Sequence, residues 1–125
     1  ASIMVEQGDY TYDSGAEATR RILRGTAGAR PSVICAANDE MAAGVISVLG
    51  ASGIAVPDEI AVTGFDDSEI ARMIWPPLTT IRQSIVEQAA TATRLLLDRS
   101  AAKDHPRRID QNVELIIRKS TLRDI

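Results

Sequence analysis

The chain has 125 residues, 45% of them hydrophobic and 25% charged, with a formal net charge of −3. That suits one α/β domain or a large piece of one, and a chain this long needs no disulfide or metal staple. A single cysteine, Cys35, forbids an internal disulfide; aromatics at 3% argue against base-stacking nucleic-acid modules; and no apolar run approaches the roughly 20 residues that span a bilayer.

Charge is unevenly placed. No Lys or Arg lies between Arg30 and Arg72, while Asp39, Glu40, Asp58, Glu59, Asp66, Asp67 and Glu69 all do. Such a middle suits a neutral polyol or a cation and repels DNA phosphates. The start at Ala1 shows no signal-peptide pattern and reads as a cut within a longer chain.

In chain order, Ile3 to Val5 is a short strand candidate. Ser14-x-x-Glu17 forms a capping box that opens a helix with Ala18/Ile22 and Thr19/Leu23 as stacked pairs, stopped at Gly25. After Pro31, the run Ser32 to Ala37 predicts a strand covered on both faces. Asn38 or Asp39 caps a helix from Glu40 to Leu49, whose apolar stripe is too broad for a helix that merely rests on a sheet. Gly50 and Gly53 end it, and Val56 to Glu59 turns into a buried strand, Ile60 to Phe65. Alternating strands and helices with short loops predict an α/β fold, a mostly parallel sheet flanked by helices.

Ser68 to Ile74 reads as a helical turn stopped by Pro76-Pro77, and Leu78 to Arg82 as extended. Ser84-x-x-Glu87 opens a further helix with an Ile85, Ala89, Ala92 and Leu96 stripe. A polar connection, Ser100 to Arg107, precedes a half-exposed strand with Ile109, Val113, Leu115 and Ile117 on one face.

Ligands of open α/β sheets bind beyond the carboxyl ends of the strands. Asp39 stands there as either a ligand acceptor or a helix cap. Tyr10 offers a ring for the apolar face of a sugar or base, or plain rim packing. Gln83 is a polar group just past an extended segment, a donor and acceptor for a hydroxyl or a solvated loop residue. Asp66-Asp67 either holds Mg²⁺ for phosphoryl chemistry or closes a turn through backbone N–H groups. No Ser/His/Asp order or phosphate-cradling glycine loop accompanies them. The only lysines, Lys103 and Lys119, and the only histidine, His105, come late in the chain. No cofactor and no enzymatic activity are expected.

Four ordered motifs carry a family resemblance. They are Cys35-Ala-Ala-Asn38-Asp39-Glu40-Met41-Ala42-Ala43-Gly44; Gly53 through Val56-Pro57-Asp58 to Gly64-Phe65-Asp66-Asp67; Pro76-Pro77-Leu78-Thr79-Thr80-Ile81-Arg82-Gln83; and Glu114-Leu115-Ile-Ile-Arg118-Lys119-Ser120-Thr121. Together they resemble the effector-binding domain of the LacI/GalR family of bacterial transcriptional regulators, over nearly the whole chain. The resemblance implies one lobe of a periplasmic-binding-protein-like type I fold. Residues 1–83 would belong to the C-terminal lobe without its first strand and helix, 84–99 to a crossover helix that packs on an absent N-terminal lobe, and 100–125 to a returning segment. It also implies effector contacts at Tyr10, Asp39 and Gln83, and a mainly structural turn at Asp66-Asp67. A homodimer would form through the 40–49 helix, at Met41, Ala43, Val45 and Ile46. The implied effector is a small molecule, a sugar or polyol ahead of a nucleobase, in a cytoplasmic protein that reaches DNA only through an absent N-terminal domain. The alternatives are a periplasmic sugar receptor of a transport system and a Mg²⁺-dependent phosphoacceptor or enzyme using Asp66-Asp67.

Overall fold

A computed structural model describes residues 3–25, 30–97 and 108–122. The order of elements is α1 (Tyr12–Gly25), β1 (Val33–Cys35), α2 (Asp39–Ala51), β2 (Ala61–Thr63), α3 (Ile70–Met73), β3 (Thr80–Gln83), α4 (Ile85–Leu97) and β4 (Val113–Ile116). β1 and β2 are parallel, with Val33 opposite Ala61 and Cys35 opposite Thr63. β3 and β4 are antiparallel, and parallel bridges Thr63–Thr79 and Asp66–Arg82 join the two pairs into one line of strands. The predicted α/β architecture is therefore present, with its parallel part at β1, β2 and β3.

Helix α2 is the centre of the core. Ala42, Val45, Ile46 and Leu49 pack with Ile54, Ile60, Val62, Ala71 and Leu78 on the sheet side. On its other side lies α1, and two glycines set how closely. A Cβ on Gly15 would strike the Met41 backbone, and one on Gly44 would strike the Tyr12 carbonyl. The two backbones touch where neither residue has a side chain. Two internal partners thus account for the broad apolar stripe of α2. Met41, Ala43, Val45 and Ile46 are all buried within the single chain, so these side chains offer no free surface to a second subunit.

The capping box expected at Ser14 does not form. The helix starts two residues earlier, because the Thr11 hydroxyl accepts the Ser14 N–H at 3.2 Å and the Asp9 carboxylate in turn accepts from Thr11. Glu17 is left to pair with Arg20, Arg21 and Arg24. Of the two candidate caps for α2, Asn38 is the one used, its Oδ1 accepting the Met41 N–H at 2.9 Å.

Three strand expectations are corrected. Ile3 to Val5 is exposed and forms no strand. It lines, together with β1, a groove of about 800 Å³ and is not paired with that strand. β1 is not covered on both faces, since Val33 and Cys35 are exposed and only its β2 edge is paired. In the last strand, Val113, Leu115 and Ile117 face outward and only Ile116 is half-buried, because no described element packs against that apolar face. The α4 stripe is likewise uncovered, and no residue of that helix is buried. Residues 100–107, with Lys103 and His105, lie outside the described residues.

The Arg118-Lys119-Ser120-Thr121 segment closes the far side of the sheet. Buried Ser120 donates its hydroxyl to the Val62 carbonyl at 2.6 Å and accepts the Thr79 N–H at 2.8 Å. Its own backbone carbonyl accepts the Val62 N–H. One serine therefore satisfies backbone groups of both β2 and the start of β3, which no strand partner reaches there.

Candidate effector site

The carboxyl ends of β1, β2 and β3 converge on one rim, which carries Tyr10, Asn38, Asp66 and Gln83, with Asp39 buried beneath it. Tyr10 precedes α1 with φ 69°, a left-handed backbone rare for an aromatic residue. Asn38 holds it there, donating Nδ2–H to the Tyr10 carbonyl at 2.9 Å while its Oδ1 caps α2. With its backbone anchored, the Tyr10 side chain stands out at 67% exposure. A ring presented in this way can lie on the apolar face of a ligand.

Asp39 does not face the rim. It is 1% exposed, and both carboxylate oxygens are engaged. Oδ1 accepts the Thr80 hydroxyl at 2.6 Å, and Oδ2 accepts the Ser68 N–H at 2.8 Å and the Ser68 hydroxyl at 3.1 Å. Gly64 passes so close that a Cβ there would strike Asp39 Oδ1. Asp39 is a clasp between the start of α2, the turn after β2 and β3. Three internal donors occupy its two oxygens and it is out of solvent, so in this structure Asp39 holds the fold together and does not present its carboxylate at the rim as the sequence suggested.

Asp66 is the carboxylate that stands at the rim. It follows β2 with φ 111°, far from where a residue with a Cβ ordinarily sits, and it is only half-buried. Its N–H is held by the Ile81 carbonyl at 2.8 Å, and its Oδ1 accepts from Gln83 Nε2 at 2.7 Å. That pair leaves acceptors on the carboxylate and on the amide carbonyl for adjacent hydroxyl or N–H donors. The position of Asp66 past the end of β2 was visible in the sequence, but the φ of 111° that separates it from Asp67 was not.

Asp67 turns the opposite way, with φ 52° and a side chain fully out of solvent. Arg118 reaches Oδ1 at 2.6 Å and Arg82 reaches Oδ2 at 2.7 Å, with Arg72 at 3.7 Å. Burial works to raise its pKa, but the hydrogen bonds and charges of Arg118 and Arg82 win and hold it below the ordinary carboxylate value. A carboxylate neutralised by guanidinium groups has nothing left for Mg²⁺. Among the described residues no group of three His, Cys, Asp or Glu side chains could hold a metal. The geometry of Asp67 speaks against its use as a Mg²⁺ ligand.

A family model described as periplasmic binding protein-like domain matches residues 2–121. The chain belongs to that family. The repressor PurR of Photobacterium profundum is 40% identical over 114 residues, which cover 90% of this chain and 34% of that repressor. Among solved structures, a transcriptional regulator CelR–cellobiose complex superposes with a TM-score of 0.81 at 37% identity, over 90% of this chain and 34% of the other. A lac repressor dimer bound to operator and an anti-inducer superposes at 0.85 and 34% identity, over 93% of this chain and 34% of the other. The LacI-type resemblance drawn from the four motifs stands, in sequence and in fold. The chain spans about a third of the length of these relatives. No helix among the described residues is long and apolar enough to cross a membrane.

Proposed function

We propose that this chain is the effector-sensing part of a bacterial transcription regulator, and that Tyr10, Asp66 and Gln83 contact the effector. The observation that carries the reading is Asp66, half-buried with a positive φ and its carboxylate accepting from Gln83, while Asp39 and Asp67 are buried against internal partners. A carboxylate, an amide and an exposed ring suit a small neutral ligand with adjacent hydroxyls, a sugar or polyol, with a nucleobase as the second class. The exposed faces of α4 and β4 and the open edge of β1 support a further lobe and a further strand in the complete polypeptide. In that division residues 1–83 form the lobe, 84–99 the crossover and 100–125 the return. Effector binding favours one arrangement of the lobes, and its differential affinity for the two arrangements shifts operator binding by a separate DNA-binding domain of a cytoplasmic protein.

Homodimerisation is part of the same proposal, on a different surface from Met41, Ala43, Val45 and Ile46. Met73 and Trp75 lie at the end of α3, which packs on α2, and are 80% and 79% exposed. The test of the effector reading is calorimetric titration of the complete polypeptide with cellobiose, sucrose, glucose and adenine, in wild type and Asp66→Ala. Saturable binding lost in Asp66→Ala supports it. Binding that survives Asp66→Ala but not Asp39→Asn would return the role to Asp39.

A further inference from the structure

Asp66 and Asp67 are consecutive residues with positive φ, and their carboxylates diverge. One accepts from Gln83, the other from Arg82. Arg82 and Gln83 are themselves consecutive on β3, so their side chains leave opposite faces of the strand. A single two-residue turn therefore grips both faces of the end of β3. The hold extends further, because Asp67 also binds Arg118 beyond β4, and Arg82 continues to Glu114 on β4 at 3.0 Å. Arg118 is fixed in turn by the Leu78 carbonyl at 2.9 Å. A wholly buried carboxylate with both oxygens paired has one favourable geometry, and departing from it leaves buried charge unpaired.

We propose that Asp67, with Arg82 and Arg118, is the positioning set for the Asp66–Gln83 contact. It holds Asp66 in the left-handed backbone that aims its carboxylate at Gln83, and it ties that contact to both strands by which the chain leaves and re-enters the lobe. This rests on the reading of Asp66 and Gln83 as effector contacts. A ligand that engages Gln83 then acts on a strand end whose other face is anchored to β4, so occupancy is felt in the strand pair and not only at the rim.

The experiment uses the complete polypeptide, ¹⁵N-labelled at glutamine side chains, with Gln83→Ala identifying the Gln83 signal. Without ligand, Asp67→Asn is expected to move the Gln83 amide signal to the position of a free amide while the Gln7 signal stays in place. Arg82→Gln is expected to do the same, and Arg82→Lys to restore most of the shift. Cellobiose, sucrose, glucose and adenine serve as probes, and whichever binds the wild type is expected to bind Asp67→Asn about tenfold more weakly. In the Gln83→Ala background the Asp67 change should cost no further affinity. Should Asp67→Asn not fold, the Arg82→Gln and Arg82→Lys pair carries the comparison. An unmoved Gln83 signal, or losses that simply add, overturns the positioning role. If no probe binds while the Gln83 signal still depends on Asp67, the effector reading fails and the positioning set remains.

Discussion

The Thr80 hydroxyl donates to Asp39 Oδ1 at 2.6 Å, joining the middle of the sheet to the first turn of the central helix. Both residues are buried, and they are 41 positions apart in sequence. Replacing Asp39 with Ala leaves the Thr80 hydroxyl and the Ser68 N–H without acceptors. The expected loss is about 1–3 kcal/mol per group stranded, measured by urea unfolding. A change of less than about 0.5 kcal/mol would contradict the clasp.

Helix α2 should answer two glycine substitutions with opposite signs. Gly44→Ala forces a methyl group into the Tyr12 backbone and is expected to destabilise by about 1–3 kcal/mol. Gly50→Ala, on the same helix, meets nothing within 4 Å and should stabilise by about 0.5–1 kcal/mol through backbone entropy. Thermal denaturation of both variants decides it, and equal effects would mean that α1 and α2 are not in contact at Gly44.

Acid should release Asp67 from its arginines. A carboxyl group whose pKa is lower in the folded than in the unfolded state adds stability above its unfolded pKa, and that contribution is lost as pH falls through the folded value. Asp9, held low by Thr11 and Ser14, acts in the same direction. Melting temperatures of wild type and Asp67→Asn taken from about pH 6 to pH 2 should therefore converge. The wild type loses its advantage towards the acid end, and parallel curves would contradict the ion-pair role.

Trp75 tests the dimer surface. If Trp75 and Met73 meet a second copy, Trp75→Ala should raise the dimer dissociation constant by about thirtyfold or more, the size of a buried tryptophan hot spot. Sedimentation velocity of the complete polypeptide reads this directly. An unchanged constant places the interface elsewhere.

Much of the fold was legible because it rests on local chemistry. The polar cap at the start of α2, the left-handed Gly53 just past its end and the strand–helix alternation each follow from neighbouring residues, whereas Gly50 lies inside the helix and does not stop it. The failures share a cause, which is partners distant in sequence. Asp39 reads as a ligand group until Thr80 and Ser68 fold onto it. Met41, Val45 and Ile46 read as surplus apolar surface until α1 covers them. Ile3 to Val5 reads as a strand from composition, but a strand exists only where a neighbouring backbone accepts its hydrogen bonds. For the rim, the positions of Tyr10 just before α1 and Gln83 at the end of β3 follow from the element boundaries. Asp66 and Asp67 read alike in sequence, as one turn, because the backbone conformation that sends their carboxylates to different partners is not visible in residue type.

Ser120 gives the lobe a particular order of assembly. The hydroxyl that completes the backbone bonding of Val62 and Thr79 belongs to a residue 58 positions after the first and 41 after the second. On the ribosome, β2 and Thr79 emerge long before the group that satisfies them. The sheet must therefore wait with polar backbone exposed until the final segment arrives, a window in which a nascent chain is open to wrong pairings. Closure of the core is the last event in the synthesis of this stretch, and Ser120 is what closes it.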